Sequence, residues 1–191
     1  MPESRPPAPE EPDDVLGPEW VPGADGIPFR RGARVLLLDE AGDLLLVEGH
    51  DGDDDAHRWW FTVGGGIGPE EDPRTGAVRE LAEETGIELA AGHLLGPVAT
   101  RSATFRFVRR TVRQDEIFFV GRVPGRRPST SAAGWTDLER EVLDQVRWFS
   151  PAELDALVAE GGTVYPSELP GLLRTLAQGW DGSCPHLTQD D

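Results

Sequence analysis

The chain reads as an α/β fold on three observations. Residues 35–38 and 44–47 are two wholly apolar runs separated by Asp39, Glu40, Ala41, Gly42 and Asp43. Uninterrupted apolar runs of that length describe strands buried on both faces, joined by a polar turn. The run Trp59-Trp60-Phe61-Thr62-Val63 leads into Gly64, Gly65 and Gly66 and then into a helical pattern. Beyond that helix come further strand-like segments and a second capped helix, so strands and helices alternate along one chain.

The elements follow in order. Residues 1–28, rich in Pro, Glu and Asp with few apolar anchors, are expected to form an acidic arm, disordered or loosely draped. Residues 29–181 make the folded domain and residues 182–191 a tail. The loop from His50 to His57 carries Asp at alternate positions, which invites a calcium reading. However, Ala56 stands where an EF-hand loop needs Gly, and Thr62 where it needs Glu. It is taken as a solvated hairpin loop. Asp72 and Pro73 are placed as N-cap and first turn of a helix that Gly86 stops. Residues 94–100, 104–113 and 117–123 read as three strands, and Arg101, Arg106, Arg109, Arg110 and Arg113 concentrate positive charge there. Ser150 and Pro151 open another helix, and residues 169–180 a last one.

The chemistry lies on the helix after the glycines. At about 100° per residue, Glu80, Glu83 and Glu84 fall within an arc of roughly 100°, while Ala77, Val78, Leu81 and Thr85 face the neighbouring sector. Carboxylates so crowded repel unless a cation cancels their charge, and hard oxygen donors suit Mg²⁺ or Mn²⁺. Set against this, an acidic helix face with an Arg79–Glu83 pair is also what an ordinary solvated surface looks like. What separates the two readings is the spacing of these carboxylates from the glycines, taken up with the signature below. The same glycines fail the dinucleotide fingerprint at Pro69, and no lysine follows for a phosphate loop.

Gly65, Glu71, Arg79, Glu80, Leu81, Glu83, Glu84, Gly86 and Ile87 meet every specified position of a 23-residue signature. On those residues the stretch resembles the box of the Nudix, or MutT-like, hydrolases. Val63 and Gly68 depart from what many members carry beside it. The resemblance implies an α/β/α sandwich with a mixed sheet. It also implies Mg²⁺-dependent (Mn²⁺ also serving) cleavage of the pyrophosphate in a nucleoside diphosphate linked to another moiety. By the same resemblance, Gly64 (through its carbonyl), Glu80, Glu83 and Glu84 hold metal directly or through water. Glu80 or a loop carboxylate takes the proton, and Arg79 pairs with Glu71. A strand ending in Trp148 preceded by a loop glutamate also fits the family, which makes Glu139 the first candidate for an extra carboxylate and Glu141 the second. Glu116 could face solvent or metal. Gly64, Gly65, Gly66, Phe105 and Arg106 are the candidate substrate contacts. The alternative is a Nudix-like ligand-binding or regulatory module without catalysis. Phe105 and Ser102 stand where a Tyr or a Pro would have marked particular substrates.

Composition bounds the partners. In 191 residues the net charge is −17, and all 18 basic residues are arginine. Lysine chemistry is therefore excluded, and large nucleic acids or anionic membranes are disfavoured. A small phosphorylated nucleotide remains, with a homodimer allowed. One cysteine, Cys184, permits no internal disulfide, and the first residues lack a secretory pattern, so a cytoplasmic setting is expected.

Overall fold

The computed structural model describes residues 16–17, 19–51, 54–107, 110–125 and 127–188, except the side chains of residues 55, 106, 107 and 138. The expected domain comprises nearly all of these, while most of the acidic arm lies outside them. In chain order the elements are β1 (Val21–Pro22), β2 (Pro28–Leu38), β3 (Leu44–Asp51), β4 (Asp54–Ile67), α1 (Pro73–Thr85), a 3-10 turn (Ala91–His93), β5 (Leu95–Phe107), β6 (Arg110–Arg122), α2 (Asp137–Val142), β7 (Leu143–Phe149), α3 (Pro151–Ala159), β8 (Thr163–Tyr165), α4 (Leu169–Gln178) and β9 (His186–Leu187).

The sheet runs β7-β3-β4-β2-β6-β5-β9, with β1 added to β2 and β8 to β4. It is mixed, because β2 pairs β6 in parallel and β4 antiparallel. Alternation along the central strands splits the core in two. Leu36, Leu38, Leu44 and Leu46 pack with Leu154, Leu169 and Leu173 of α3 and α4. Val35, Leu37, Leu45 and Val47 pack with Ala77 and Leu81 of α1. All eight strand residues are buried, as their unbroken apolarity requires. Helices therefore cover both faces, and α1 is held against the sheet by its dry stripe.

Four expectations need correction. The stretch 104–113 is not one strand: β5 ends at Phe107, β6 begins at Arg110, and the chain reverses between them. Val108 and Arg109 lie outside the described residues, whereas Gln114, Asp115 and Glu116 looked like a polar break yet lie within β6. Gln114 and Glu116 are buried there because arginines on neighbouring strands satisfy them. Glu139 and Glu141 sit on a short helix rather than a loop, since Thr136 and Glu139 form a capping box that nucleates α2. The tail after Gly182 is not free throughout: His186 and Leu187 pair with Thr100 and Arg101, burying Leu187. Finally, His50 is not an exposed loop residue, since its Nδ1 lies 2.9 Å from Asp144 and its side chain is mostly covered.

Candidate metal centre

The glycine segment closes β4 directly beneath α1. Gly64 has φ of 127°, and a Cβ there would stand 2.2 Å from the Ala33 carbonyl oxygen, so no other residue fits. A Cβ on Gly65 would stand 2.5 Å from Glu80 Oε2. The missing side chain lets the Glu80 carboxylate rest on the backbone. Helix α1 starts and stops as its sequence predicts: the Asp72 side chain accepts from the N–H groups of Arg74 and Thr75, Pro73 occupies the first turn, and Gly86 ends it at φ of 72°.

Three carboxylates converge. One oxygen each from Glu80, Glu84 and Glu139 lies within 4.8 Å of the others. Glu84 is buried and accepts from Gly64 N–H at 2.8 Å. Burial pushes its carboxyl up to about 8, against the pull of Arg34 and the Gly64 N–H. Burial raises Glu80 too, partly offset by Arg79. Glu139 reaches the pair because α2 is docked on the end of α1: the Trp135 indole N–H donates to the Glu84 carbonyl at 2.8 Å. The Glu139 carboxylate is meanwhile held at 2.7 Å by the backbone N–H and the hydroxyl of Thr136.

Arg79 fastens the outer side. Its Nε and Nη2 donate to the two Glu71 oxygens at 2.9 and 3.0 Å, Nη1 donates to Glu80 at 2.7 Å and to Glu83 at 2.9 Å, and Nη2 also donates to the Gly66 carbonyl at 3.1 Å. Arg79 thus ties together the loop, the helix and the glycines. The hydrogen bonds from Arg79 hold Glu71 below the usual carboxylate range despite partial burial. Glu83, half exposed, is held by Arg79 and stands outside the converging three.

The remaining candidates are placed differently. The Gly64 carbonyl, read as a ligand, accepts from Arg34 Nη1. Glu116 does not join the acidic cluster. It is buried between Arg34 Nε at 2.7 Å and Arg101 Nη1 at 3.1 Å, with Gln114 Nε2 at 2.7 Å. Burial would raise it, but the two guanidinium groups outweigh that and hold it low. Phe105 faces Val112 near the hairpin end of β5, partly exposed and four residues beyond Arg101. The Arg106 side chain lies outside the described residues, and Glu141 is exposed. Sequence reasoning missed Arg34, Gln114 and Trp135. A legible signal existed for Arg34, a cation set directly before the apolar run 35–38 within β2, which must find a partner once buried.

A model of the NUDIX domain matches residues 28–167. The chain belongs to the NUDIX family. An RNA pyrophosphohydrolase of Acidiphilium cryptum is 37% identical over 76 residues, 40% of this chain and 45% of that protein. Diphosphoinositol polyphosphate phosphohydrolase 2 of Mus musculus is 37% identical over 70 residues, 36% of this chain and 37% of that protein. The chain spans less than half the length of these curated relatives. A solved NUDIX hydrolase from Nitrosomonas europaea superposes with a TM-score of 0.52 at 17% identity, covering 79% of this chain and 90% of that one, which shows the shared fold. In this NUDIX domain the acidic cluster draws Glu80 and Glu84 from α1 and Glu139 from α2. Among the described residues no helix is long and apolar enough to cross a membrane.

Proposed function

We propose that the protein is a divalent-metal-dependent hydrolase that cleaves the phosphoanhydride of a small nucleotide-type substrate. The observation that carries this reading is the convergence of Glu80, Glu84 and Glu139 within 4.8 Å. Two carboxylates, Glu80 and Glu139, stand against buried Glu84, the three destabilise one another, and a hard cation is the partner that removes the cost. The donor set is all oxygen and fits Mg²⁺ or Mn²⁺. Glu80, Glu84 and Glu139 would hold the ion, with Glu83 reaching it through water. When bound, the ion offsets phosphate charge and acidifies an attacking water.

The chain's own groups do the rest. The Gly64 N–H orients Glu84. Arg79 fixes Glu80 through Oε1, which leaves Oε2 to accept the proton of the attacking water. Burial raises the Glu80 carboxyl above its ordinary value, which makes it the more basic as a proton acceptor. The named relatives act on an RNA and on a diphosphoinositol polyphosphate, so their names do not converge on one substrate. The −17 charge favours a short substrate over a long RNA.

The test is a panel of nucleoside diphosphate derivatives, dinucleotides and a 5′-triphosphorylated RNA, incubated with Mg²⁺ or with chelator while phosphate or nucleotide release is followed. Mg²⁺-dependent release from a small nucleotide is expected. Glu139→Gln should lower it roughly 10- to 100-fold, as losses around metal ligands do. Absence of release across the panel, or full turnover in Glu139→Gln, would overturn the reading.

A further inference from the structure

A second polar site adjoins the first. Arg30 on β2 is largely buried, its guanidinium 4.4 Å from the Trp20 ring centroid, and its Nε donates to Gln114. Gln114 passes the contact to Glu116 at 2.7 Å, and Glu116 binds Arg34, which holds the Gly64 carbonyl. Arg30 is thus wired to the glycine segment under the acidic cluster. Glu80 is close enough to favour its charge, while burial and the like charge of Arg34 disfavour it.

This cation needs an anion, because a buried guanidinium beside a second one is costly without a counter-charge. Glu116 is engaged by Arg34 and Arg101. The carboxylate that meets Arg30 comes from the end of the acidic arm: Glu19 Oε1 lies 3.1 Å from Arg30 Nη1. Its side chain is seated against the glycines, since a Cβ on Gly66 would stand 2.4 Å from Glu19 Cγ and 3.3 Å from Arg30 Nη1.

We propose that Arg30, beside Gly66, is a subsite for an anionic phosphate group of the substrate, and that Glu19 occupies it in cis as an intramolecular competitor. The subsite rests on the phosphoanhydride reading above. Two features make Glu19 displaceable. It meets the guanidinium through one hydrogen bond, where a phosphate offers several oxygens to the same planar fork. The strand behind it, β1, is two exposed residues with two register pairs, Val21 to Phe29 and Pro22 to Pro28. The Trp20 ring, next to Glu19 in the chain, lies over the same guanidinium, so displacement of this segment, a strap across Arg30, would change the surroundings of its indole.

The test uses the full chain with imidodiphosphate plus Mg²⁺ as a non-hydrolysed probe, and orthophosphate without metal as a second arm. Affinity is read by calorimetry, and strap position by the indole N–H resonance of Trp20, assigned with Trp20→Phe. Glu19→Gln should bind imidodiphosphate about tenfold more tightly than wild type, and Trp20→Ala severalfold. Arg30→Gln should erase the difference. In wild type, saturation should move the Trp20 resonance to the position it holds in Glu19→Gln. Orthophosphate producing the same movement would place the anion on Arg30 without the metal cluster, which supports the subsite. Equal or weaker probe affinity in both Glu19→Gln and Trp20→Ala, or a Trp20 resonance indifferent to saturating probe, overturns the proposal. Hydrolysis is scored separately: intact turnover with unchanged affinities rejects the subsite alone, whereas tightened binding without Mg²⁺-dependent turnover in any variant rejects the catalytic reading alone.

Discussion

Glu83 and Glu84 are neighbours in one helix, yet they experience opposite surroundings. Glu83 is half exposed and bound by Arg79, whereas Glu84 is buried, accepts from a glycine N–H and is pushed up to about 8. One step of 100° around α1 separates a solvated ion pair from a carboxylate that burial holds partly protonated. The difference lies in what each side chain is packed against. Outside, a multivalent arginine supplies compensation within the protein; inside, burial removes water and leaves the compensation to an ion. An acidic face on a helix is therefore not one kind of surface: its outer row is neutralised by Arg79, and its inner row is the one on which the proposed metal site rests.

The largest effect should come from the inner row. Glu84→Gln is expected to lower Mg²⁺-dependent turnover about 100-fold. The metal-free protein should respond in the opposite sense. Because the folded-state value of Glu84 is about 8 and its ordinary value is 4.5, the folded state holds the proton longer than the unfolded one. Stability of the metal-free protein therefore falls as pH rises from 4.5 to 8, by an amount on the order of a few kcal/mol, and the loss is complete above that window. Glu84→Gln removes that penalty, so at pH 8 its metal-free melting temperature should exceed the wild-type value by several degrees. Thermal scans with chelator at pH 5 and pH 8 check this, and a variant that melts lower at both would mean that Glu84 is not strained by its burial.

The arginine should matter next. Arg79→Ala strips partners from Glu71, Glu80, Glu83 and the Gly66 carbonyl at once, and leaves a buried Glu80 without its guanidinium. A loss of about 2 kcal/mol and roughly 4–8 °C is expected, together with lower turnover. Unchanged melting with only KM raised would turn Arg79 into a substrate contact. The smallest effect belongs to the outer row. Glu83→Gln gives up one partly exposed ion pair, worth about 0.5 kcal/mol, and should lower turnover less than about tenfold. A loss equal to that of Glu84→Gln would make Glu83 an inner ligand and dissolve the distinction between the rows.

What could be read from the sequence divides along the same line. The apolar runs of β2 and β3, the cap at Asp72, the stop at Gly86 and the crowding of α1 carboxylates were legible because each is written within a few residues and depends on a local period. The division of 104–113 between β5 and β6 was not, since the two strands are held by antiparallel pairing with each other rather than by a local period. Glu116 was readable as a carboxylate on a strand but not as the shared partner of Arg34 and Arg101, which arrive from β2 and β5. That Glu80 and Glu84 lie inside and Glu83 outside depended on how α1 packs over Gly64 and Gly65, a property that the helical wheel leaves free. Glu139 was legible as a candidate on a loop, whereas a capping box and the Trp135 anchor hold it on a helix.

That anchor bears on the order of assembly. Trp135 and Glu84 are 51 residues apart, whereas Gly64 and Glu84 are separated by 20. Chain closure favours the shorter loop, so the strand–helix half of the acidic cluster should form early and α2 should dock late. The mutual repulsion of the three carboxylates is then postponed until most of the apolar core is already in place to oppose it. A bound cation would accordingly act after the rate-limiting step of folding. Mg²⁺ should slow unfolding while leaving the refolding rate nearly unchanged. Stopped-flow chevrons with and without Mg²⁺ read this directly, and a refolding limb accelerated by the ion would show that the cluster is complete in the transition state.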